Sequence, residues 1–169
     1  AAEQAEKISY FYNHHFTNEP QERLADRLLG LTPEMARVRF VSGGSEANET
    51  ALQLARLYHV ERGDTDRWRV ISPAQSYHGS SMGTLALTGR PALQEPYTPY
   101  LASHLHIPPS TWRTDPTGEA ALAELDRLLG QHGKEIAAFL CEPVSAAALP
   151  GYSPPERFWH GLAERRRSH

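Results

Sequence analysis

The sequence has 169 residues and is poor in cysteine and in lysine. Its one cysteine, Cys141, can form neither an internal disulfide nor a thiolate metal site, which favours a reducing, cytoplasmic location. Lysine occurs only at Lys7 and Lys134, although lysine and arginine together number 17. Any reaction that uses a lysine nucleophile is therefore restricted to these two positions. The chain opens at Ala1 instead of a methionine, which suggests a missing beginning.

Long apolar runs and a large excess of one charge are also absent. No run approaches the roughly 20 residues of a membrane-spanning helix, and the first residues do not resemble a signal peptide. The net charge of −3 provides no basic surface for nucleic acid or for an acidic membrane. We therefore expect no nucleic-acid partner and no membrane partner.

Recognisable metal-ligand spacing is missing as well. His14 and His15 are adjacent, and His104 and His106 would share one face if they lay on a strand. Neither pair has a third and a fourth ligand nearby at a suitable spacing. Such pairs are unsurprising among nine histidines, so we expect exposed loop histidines and no metal site.

The remaining pattern is typical of an α/β domain. Apolar residues make up 40% of the chain, enough to build a core, and helical patterns alternate with short apolar runs, as in a mainly parallel sheet. We find neither repeats nor linkers and expect one domain, with an irregular stretch over 89–118. The predicted strands are 38–41, 68–71 and 136–141, and the predicted helices are 1–8, a helix from a cap at Asn18 to Pro33, a helix after Ser45 that ends at Gly63, 81–88, 117–129 and 154–167.

The helix after Ser45 has the strongest helical pattern. Glu46 and Glu49 lie in its first turn, where they would face a bound phosphate or bind partner groups at a subunit contact; the sequence leaves both open. Its apolar residues recur at helical spacing and predict one buried face: Ala51, Leu54, Ala55 and Tyr58. The inner face of the helix over 117–129 is predicted to hold Leu122, Leu125 and Leu129.

The junction between strand 38–41 and this helix consists of Ser42, Gly43, Gly44 and Ser45. Because the first amides of a helix lack intrahelical partners and lie at the positive end of its dipole, such a junction can bind an anion. The pattern is neither G-x-G-x-x-G nor a P-loop, so a dinucleotide or NTP site is not predicted. A tight turn with a serine cap explains the same residues, and the spacing alone leaves both explanations open.

Two more features reach the same edge of the predicted sheet. Tyr77-His78-Gly79 follows the strand over 68–71, at the carboxyl edge where α/β sheets bind ligands. An aromatic ring there can stack on a planar heterocycle, although a half-buried loop tyrosine is the alternative. Glu142 follows the strand over 136–141 and is either a solvated strand-end residue or a partner for a ligand nitrogen or a second acid. Together these features predict one crevice with a phosphate cradle, a stacking ring and a carboxylate.

A rival motif overlaps the tyrosine loop. Gly79-Ser80-Ser81-Met82-Gly83 matches G-x-S-x-G, the nucleophile elbow of serine hydrolases. That elbow needs a strand immediately before the serine, whereas the predicted strand over 68–71 ends too early. Asp115 and several downstream histidines keep a triad open by composition. A serine hydrolase therefore stays an alternative.

Five segments stand out in chain order: FVSGGSEANETA at 40–51, Ala55-Arg56-x-Tyr58, Tyr77-His78-Gly79, Leu87-Thr88-Gly89 and Cys141-Glu142-Pro143-Val144. Together they resemble the class III aminotransferases, and the resemblance extends from about Gln4 to Trp159. These enzymes depend on pyridoxal 5'-phosphate (PLP) and have fold type I. The resemblance implies the three-layer α/β/α large domain of the aspartate-aminotransferase superfamily, here incomplete.

The resemblance implies a cofactor-binding role for Gly43, Gly44, Ser45, Tyr77, His78 and Glu142. The two glycines and the serine should bind the cofactor phosphate through backbone amides and a hydroxyl. The tyrosine should stack on the pyridine ring, with the histidine beside it. The glutamate should help to hold the carboxylate that binds the pyridine nitrogen.

Two family residues have no match in this chain. The enzymes need a Schiff-base lysine and an aspartate at the pyridine nitrogen, and in the family both follow the helix that resembles 154–167. Neither Lys7 nor Lys134 corresponds to that lysine. The resemblance therefore implies that residues 1–169 are part of the PLP-binding large domain, with the N-terminal segment and the C-terminal half missing. We expect no catalytic residue in the chain.

The expected function is that of a transaminase fragment. The intact enzyme would move an amino group between an amine or amino acid and a keto acid, and the fragment alone should be inactive. A non-catalytic truncated product is the alternative. The family also implies a homodimer for the full-length enzyme, with the active site at the subunit interface.

Overall fold

The computed structural model describes residues 2–8, 10–12 and 15–168. They form two compact units, 1–41 and 42–169, and one domain over 1–169 stays a prediction. Within these described ranges, no helix has both the length and the apolar character needed to cross a membrane. The elements, in chain order, are α1 (Ala2–Lys7), α2 (Glu19–Leu31), α3 (Gly44–Glu61), β1 (Arg69–Pro73), α4 (Met82–Leu87), α5 (Pro91–Gln94), a 3-10 helix (Glu95–Tyr100), β2 (Leu105–Ile107), α6 (Glu119–His132), β3 (Ile136–Phe139) and α7 (Glu156–Ser168).

The first unit contains α1 and α2. The helix predicted over 1–8 forms as α1, with Ala1 outside the described residues. Asn18 caps α2 as predicted, because its Oδ1 accepts a hydrogen bond from Gln21 N at 2.9 Å. The strand predicted over 38–41 is wrong. That segment pairs with no strand of the described chain, and extended backbone without a hydrogen-bonded neighbour is not a strand.

The second unit contains a three-stranded parallel sheet in the order β2-β1-β3. Ile71 of β1 lies opposite Leu105 of β2 and Phe139 of β3. Strands β1 and β3 form where they were predicted, with slightly different ends. The irregular stretch predicted over 89–118 is wrong, because it contains α5, the 3-10 helix and β2. Strand β2 has only 3 residues, so its pattern is too short to predict a strand from sequence.

Helices cover both faces of the sheet. On one face, Ile71 packs in a core with Leu125 of α6 and Phe158 of α7. Val70 points to the opposite face, since neighbouring strand residues alternate, and there it lines a cavity with Leu52 of α3. This layering confirms the expected α/β/α arrangement, and the predicted inner face of α6 is confirmed as well.

Helix α3 directs polar side chains toward the rest of its unit. The buried face predicted from its apolar spacing is wrong, since no residue of α3 is buried and Leu54 and Tyr58 are 58% and 57% exposed. On the side of α3 that faces the rest of its unit, most side chains form hydrogen bonds with backbone groups of distant segments. These polar contacts therefore set the orientation of the helix. The half-buried residues of this side include Ser45, Asn48, Glu49, Leu52, Arg56 and His59.

Strand β3 forms one edge of the described sheet. Two of its carbonyl groups accept hydrogen bonds from side chains. Arg67 Nη1 donates a hydrogen bond to Ile136 O at 2.8 Å. His59 Nε2 donates one to Ala137 O at 2.9 Å. The carbonyl of Arg67 in turn accepts a hydrogen bond from Arg56 Nη1 at 2.8 Å. The end of α3 and the loop before β1 are thereby attached to the edge strand.

Candidate functional site

The N-terminus of α3 is open. The helix begins at Gly44, after an extended Gly43 with φ −169° and ψ 173°, and no described side chain caps it. A Cβ added at either glycine would meet no atom within 4 Å, so there is room beside the first-turn amides. Glu46 Oε2 accepts a hydrogen bond from Ser42 N at 2.7 Å. This bond directs the Glu46 carboxylate to the backbone that precedes the helix.

Three side chains of α3 hold the loop that carries Tyr77 and His78. Their spacing of i, i+3 and i+4 places them on one face of the helix. The predicted phosphate-binding residues and the predicted stacking loop are therefore brought together. The contacts are Ser45 Oγ with Ser80 N (3.1 Å), Asn48 Nδ2 with His78 O (2.7 Å) and Glu49 Oε1 with Gly83 N (3.0 Å).

His78 is buried, with 4% of its surface exposed. Its backbone N–H donates to Thr88 Oγ1 at 3.0 Å, and the same hydroxyl lies 3.1 Å from Gly79 O, to which it donates. Burial lowers the pKa of His78; the charge of Glu142 opposes this shift and His106 adds to it. The neutral ring leaves Nε2 buried without a hydrogen-bond partner among the described residues.

Glu142 joins the end of β3 to the tyrosine loop. Its Oε2 accepts hydrogen bonds from Tyr77 N at 3.1 Å and from Ser145 Oγ at 3.2 Å. Its Oε1 accepts one from Ala146 N at 3.3 Å. The side chain of Tyr77 remains 39% exposed, so its ring is partly open to solvent. The predicted carboxylate thus lies next to the predicted stacking residue and is bonded to its backbone.

A comparison with models of protein families identifies the family of the chain. The family model described as Aminotransferase class-III matches residues 1–168. The chain belongs to the class III aminotransferases. This confirms the resemblance inferred from the motifs.

Relatives of this class III aminotransferase chain are longer proteins. It is 33% identical over 175 residues to the uncharacterized aminotransferase YodT of Bacillus subtilis (strain 168), and the match covers 99% of the chain and 39% of that relative. It is 37% identical over 129 residues to the acetylornithine aminotransferase of Streptomyces clavuligerus, with 75% of the chain and 30% of the relative covered. The chain therefore spans well under half of these curated relatives.

Solved transaminase structures share the fold. An amine transaminase from an uncultivated Pseudomonas species, solved in its PLP-bound form, superposes with a TM-score of 0.90 at 30% identity, covering 99% of this chain and 40% of that one. A transaminase from the marine bacterium Virgibacillus gives a TM-score of 0.89 at 31% identity, with 99% and 38% covered. The aminotransferase chain thus has the PLP-transaminase fold in incomplete form.

The residues of the rival hydrolase motif lie in different surroundings. Ser81 immediately precedes α4, and its hydroxyl lies 2.7 Å from Thr84 Oγ1. Strand β1 ends at Pro73, well before this serine. Asp115 instead binds the start of α6, where its Oδ2 accepts a hydrogen bond from Ala121 N at 2.9 Å. The described contacts therefore offer no support for a triad, and the hydrolase stays an untested alternative.

His104, immediately before β2, and His106, on β2, are both half-buried, so the expectation of exposed loop histidines is wrong for this pair. Val70 N donates to His104 Nδ1 at 3.2 Å. Burial, with smaller contributions from His106 and Arg69, lowers the pKa of His104 to about 4. Burial also lowers the pKa of His106, and its bond to Ser72 opposes that shift.

The contacts of Ser72 fix the hydrogen position on His106. Ser72 Oγ donates to Leu87 O at 2.8 Å, so it accepts from His106 Nδ1 at 3.0 Å. Among the described residues, no cluster of three or more metal-ligating side chains is found. His15 is exposed as expected, and His14 lies outside the described residues.

Asn48, Glu49 and Thr88 hold the site together. The sequence pattern assigned no role there to Asn48 or Thr88, and for Glu49 it left open a bound phosphate or a subunit contact. The sequence did provide a signal, since all three lie within segments that resemble the family. Their partners are 30, 34 and 10 residues away in the chain, respectively. Local spacing carries no information about contacts of that range.

Proposed function

We propose that this chain forms part of the PLP-binding large domain of a transaminase that moves an amino group between an amine or amino acid and a keto acid. The observation that carries the proposal is the uncapped start of α3, joined by Ser45 and Asn48 to the loop of Tyr77. Such a site suits a ligand with a phosphate at one end and a flat ring at the other. Family membership and the PLP-bound Pseudomonas neighbour support pyridoxal 5'-phosphate as that ligand.

The phosphate would lie at Gly43, Gly44 and Ser45. The open space at both glycines and the uncapped amides fit an anion at a helix N-terminus. Ser45 Oγ already accepts a hydrogen bond from Ser80 N, which leaves its own hydrogen free to donate to a phosphate oxygen. The Glu46 carboxylate is held by Ser42 N, on the backbone that precedes the helix.

The ring would stack on Tyr77, whose side chain is partly exposed next to Glu142. His78 lies beside it, and its Nε2 is buried without a hydrogen-bond partner among the described residues. Glu142 is proposed to hold the carboxylate that binds the pyridine nitrogen. Its bonds to two backbone amides fix the direction in which it presents its oxygens.

When bound, pyridoxal 5'-phosphate supplies an aldehyde that takes up the amino group and a ring that withdraws electrons. This chain contributes binding and orientation. Lys7 lies at the end of α1, 3.9 Å from Glu3, and Lys134 lies between α6 and β3. Neither position corresponds to the family's Schiff-base lysine, and we propose that the chain alone does not catalyse transamination.

We also propose a homodimer for the full-length protein. Leu54, Leu57 and Tyr58 form an apolar stripe on α3 and are 58%, 53% and 57% exposed. Large apolar patches on a protein surface mark contact sites, and a second copy would cover this one. Leu54→Lys in the full-length protein should shift it toward monomer in light scattering, whereas the exposed Leu93→Lys on α5 serves as the control. An unchanged mass for Leu54→Lys would contradict this interface.

A cytoplasmic location is proposed on the basis of Cys141. This cysteine is free and half-buried, and burial, with a contribution from Glu142, raises the pKa of its thiol to about 11. The thiol is therefore protonated and unreactive in the cell. Fractionation of the native host followed by immunodetection tests the location.

The test of the main proposal is borohydride reduction of the chain mixed with pyridoxal 5'-phosphate, followed by peptide mapping and an assay of transamination. We expect saturable binding, no stoichiometric label on Lys7 or Lys134 and no turnover. Ser45→Ala should weaken binding, whereas Ser80→Ala should not, because Ser80 meets Ser45 through its backbone N–H. A stoichiometric label on either lysine together with turnover would show that the chain is a complete catalyst.

A further inference from the structure

We infer that Thr88 and Asn48 are positioning residues that, together with Glu142, fix the backbone around Tyr77 and so set the direction of its Cα–Cβ bond, from which the ring extends. The inference rests on the proposed function. Each of the three side chains holds one of three successive peptide groups. These groups lie between residues 76 and 79, and neither Thr88 nor Asn48 has to touch the cofactor.

The first peptide group, between residues 76 and 77, is held by Glu142. Its N–H belongs to Tyr77 and donates to Glu142 Oε2 at 3.1 Å. The second, between residues 77 and 78, is held by Thr88, because His78 N donates to Thr88 Oγ1 at 3.0 Å. Peptide groups are planar, so fixing the planes before and after Tyr77 fixes both of its backbone dihedral angles. The direction of its Cα–Cβ bond follows.

The third peptide group, between residues 78 and 79, is held by Asn48. Its Nδ2 donates to His78 O at 2.7 Å. Asparagine inside a helix usually bonds to nearby backbone and weakens the helix. Here the amide reaches across to a loop, which explains why an asparagine occurs at this half-buried position of α3.

Thr88 also satisfies the groups around it. It is fully buried at 0% exposure, at the C-terminal cap of α4. Its hydroxyl accepts from His78 N and lies within hydrogen-bond distance of Gly79 O (3.1 Å) and of Thr84 O (3.2 Å). Valine has the same shape without the hydroxyl, so Thr88→Val would leave His78 N–H buried without this acceptor. Serine would keep the hydroxyl.

The test separates ring binding from phosphate binding. The probes are pyridoxamine 5'-phosphate, pyridoxamine and inorganic phosphate, which lack an aldehyde and cannot react with lysine. Binding to the 169-residue chain is measured by titration calorimetry for wild type, Thr88→Val and Thr88→Ser. We expect Thr88→Val to weaken both ring-containing probes by about twofold to tenfold and to leave inorganic phosphate unchanged. Thr88→Ser should restore the wild-type values.

The other possible results distinguish a failure of the positioning role from a failure of the proposed function. Equal affinity of Thr88→Val and wild type for both ring-containing probes would overturn the positioning role while leaving the proposed function intact. If Thr88→Val binds none of the three probes, the positioning role is also overturned, because the substitution then disturbs the structure as a whole. If wild type binds neither pyridoxamine 5'-phosphate nor pyridoxal 5'-phosphate, the proposed function itself fails, and the inference fails with it.

A measurement on wild type covers the case in which Thr88→Val does not fold. In native-state hydrogen exchange, the N–H groups of Tyr77 and His78 should exchange slowly, because both are bonded to side chains. Exchange at the rate of an exposed loop would overturn the inference. Asn48→Asp provides an independent variant, since it replaces the donor to His78 O with an oxygen and should weaken the two ring-containing probes in the same way.

Discussion

Glu49 and Gly83 are in direct contact. The Glu49 carboxylate accepts a hydrogen bond from Gly83 N at 3.0 Å and also occupies the space where a side chain of Gly83 would begin. A Cβ on Gly83 would lie 2.6 Å from Glu49 Oε2. A side chain at position 83 would have to displace the end of the Glu49 side chain, and the contact attaches α4 to α3.

Gly83→Ala should therefore destabilise the protein. The new methyl group would displace the end of the Glu49 side chain and break its bond to Gly83 N. The loss of a hydrogen bond to a charged group should lower the free energy of unfolding by about 1–3 kcal/mol. Urea unfolding followed by circular dichroism measures the change.

Gly130→Ala is the matched control for this substitution. Gly130 is exposed within α6, and a Cβ there would meet nothing within 4 Å. Alanine is the better helix former by roughly 0.5–1 kcal/mol, so this variant should be more stable than wild type. Equal effects of the two substitutions would show that Glu49 does not restrict position 83.

Gly89→Ala should be more damaging than Gly83→Ala. A Cβ at Gly89 would lie 2.5 Å from Pro73 O and 2.6 Å from Ala74 Cα. These are backbone atoms, which cannot rotate away as a glutamate side chain can. We expect a loss of about 2–4 kcal/mol in the free energy of unfolding. A smaller loss than that of Gly83→Ala in the same urea titration would contradict this ranking.

Stability should fall on mild acidification because of His104. Its pKa is about 4 in the folded protein and about 6.5 when unfolded, so the unfolded state binds more protons between these values. The contribution of neutral His104 to the free energy of unfolding is fully present above pH 6.5 and declines as the pH falls toward 4. It amounts to at most about 3 kcal/mol. His78 and His106 have lowered pKa values and act in the same direction. Urea unfolding at a series of pH values measures the slope.

His104→Asn should reduce this pH dependence. The Oδ1 atom of asparagine can accept the hydrogen bond from Val70 N that His104 Nδ1 accepts now, and it does not titrate. The variant should lose less stability than wild type between pH 6.5 and pH 4. An unchanged slope would show that other groups carry the acid sensitivity.

Asp115→Ala should weaken α6 at its start. The carboxylate is 6% exposed and accepts hydrogen bonds from Ala121 N at 2.9 Å and Ala120 N at 3.2 Å. Removing a cap of this kind costs about 0.5–2 kcal/mol. Asp115→Asn keeps one acceptor oxygen and should cost less. Thermal unfolding of the two variants gives the comparison, and equal losses would mean that the second oxygen alone matters.

The fold could be predicted from sequence wherever a pattern was local and long. Helix α6 was predicted because its leucines recur over a 14-residue helix. Strand β2 was missed because 3 residues show no period. The inner face of α3 was assigned wrongly because Asn48 and Glu49 obtain their hydrogen-bond partners from a loop and from α4, both far away in the chain.

The residues of the candidate site could also be predicted from the sequence only in part. Tyr77 and Glu142 were selected because ligands bind at the carboxyl edge of a parallel sheet, and Gly43 and Gly44 because the first amides of a helix can bind an anion. The structure links the elements that carry them, although their roles toward a cofactor stay predictions. Thr88 could not be selected, because its importance depends on the direction of a peptide group 10 residues away.

The hydrogen bonds that Arg67 and His59 form with β3 have a consequence for strand addition. Arg67 and His59 already occupy the carbonyl groups of Ile136 and Ala137. An edge strand with unpaired backbone groups can form hydrogen bonds with a strand of another chain and so act as a template for aggregation. Here an incoming strand would have to displace two side chains before it could use those carbonyls. Strand addition at this edge therefore has to offset the loss of both hydrogen bonds, which makes it less favourable than at an edge with free carbonyl groups.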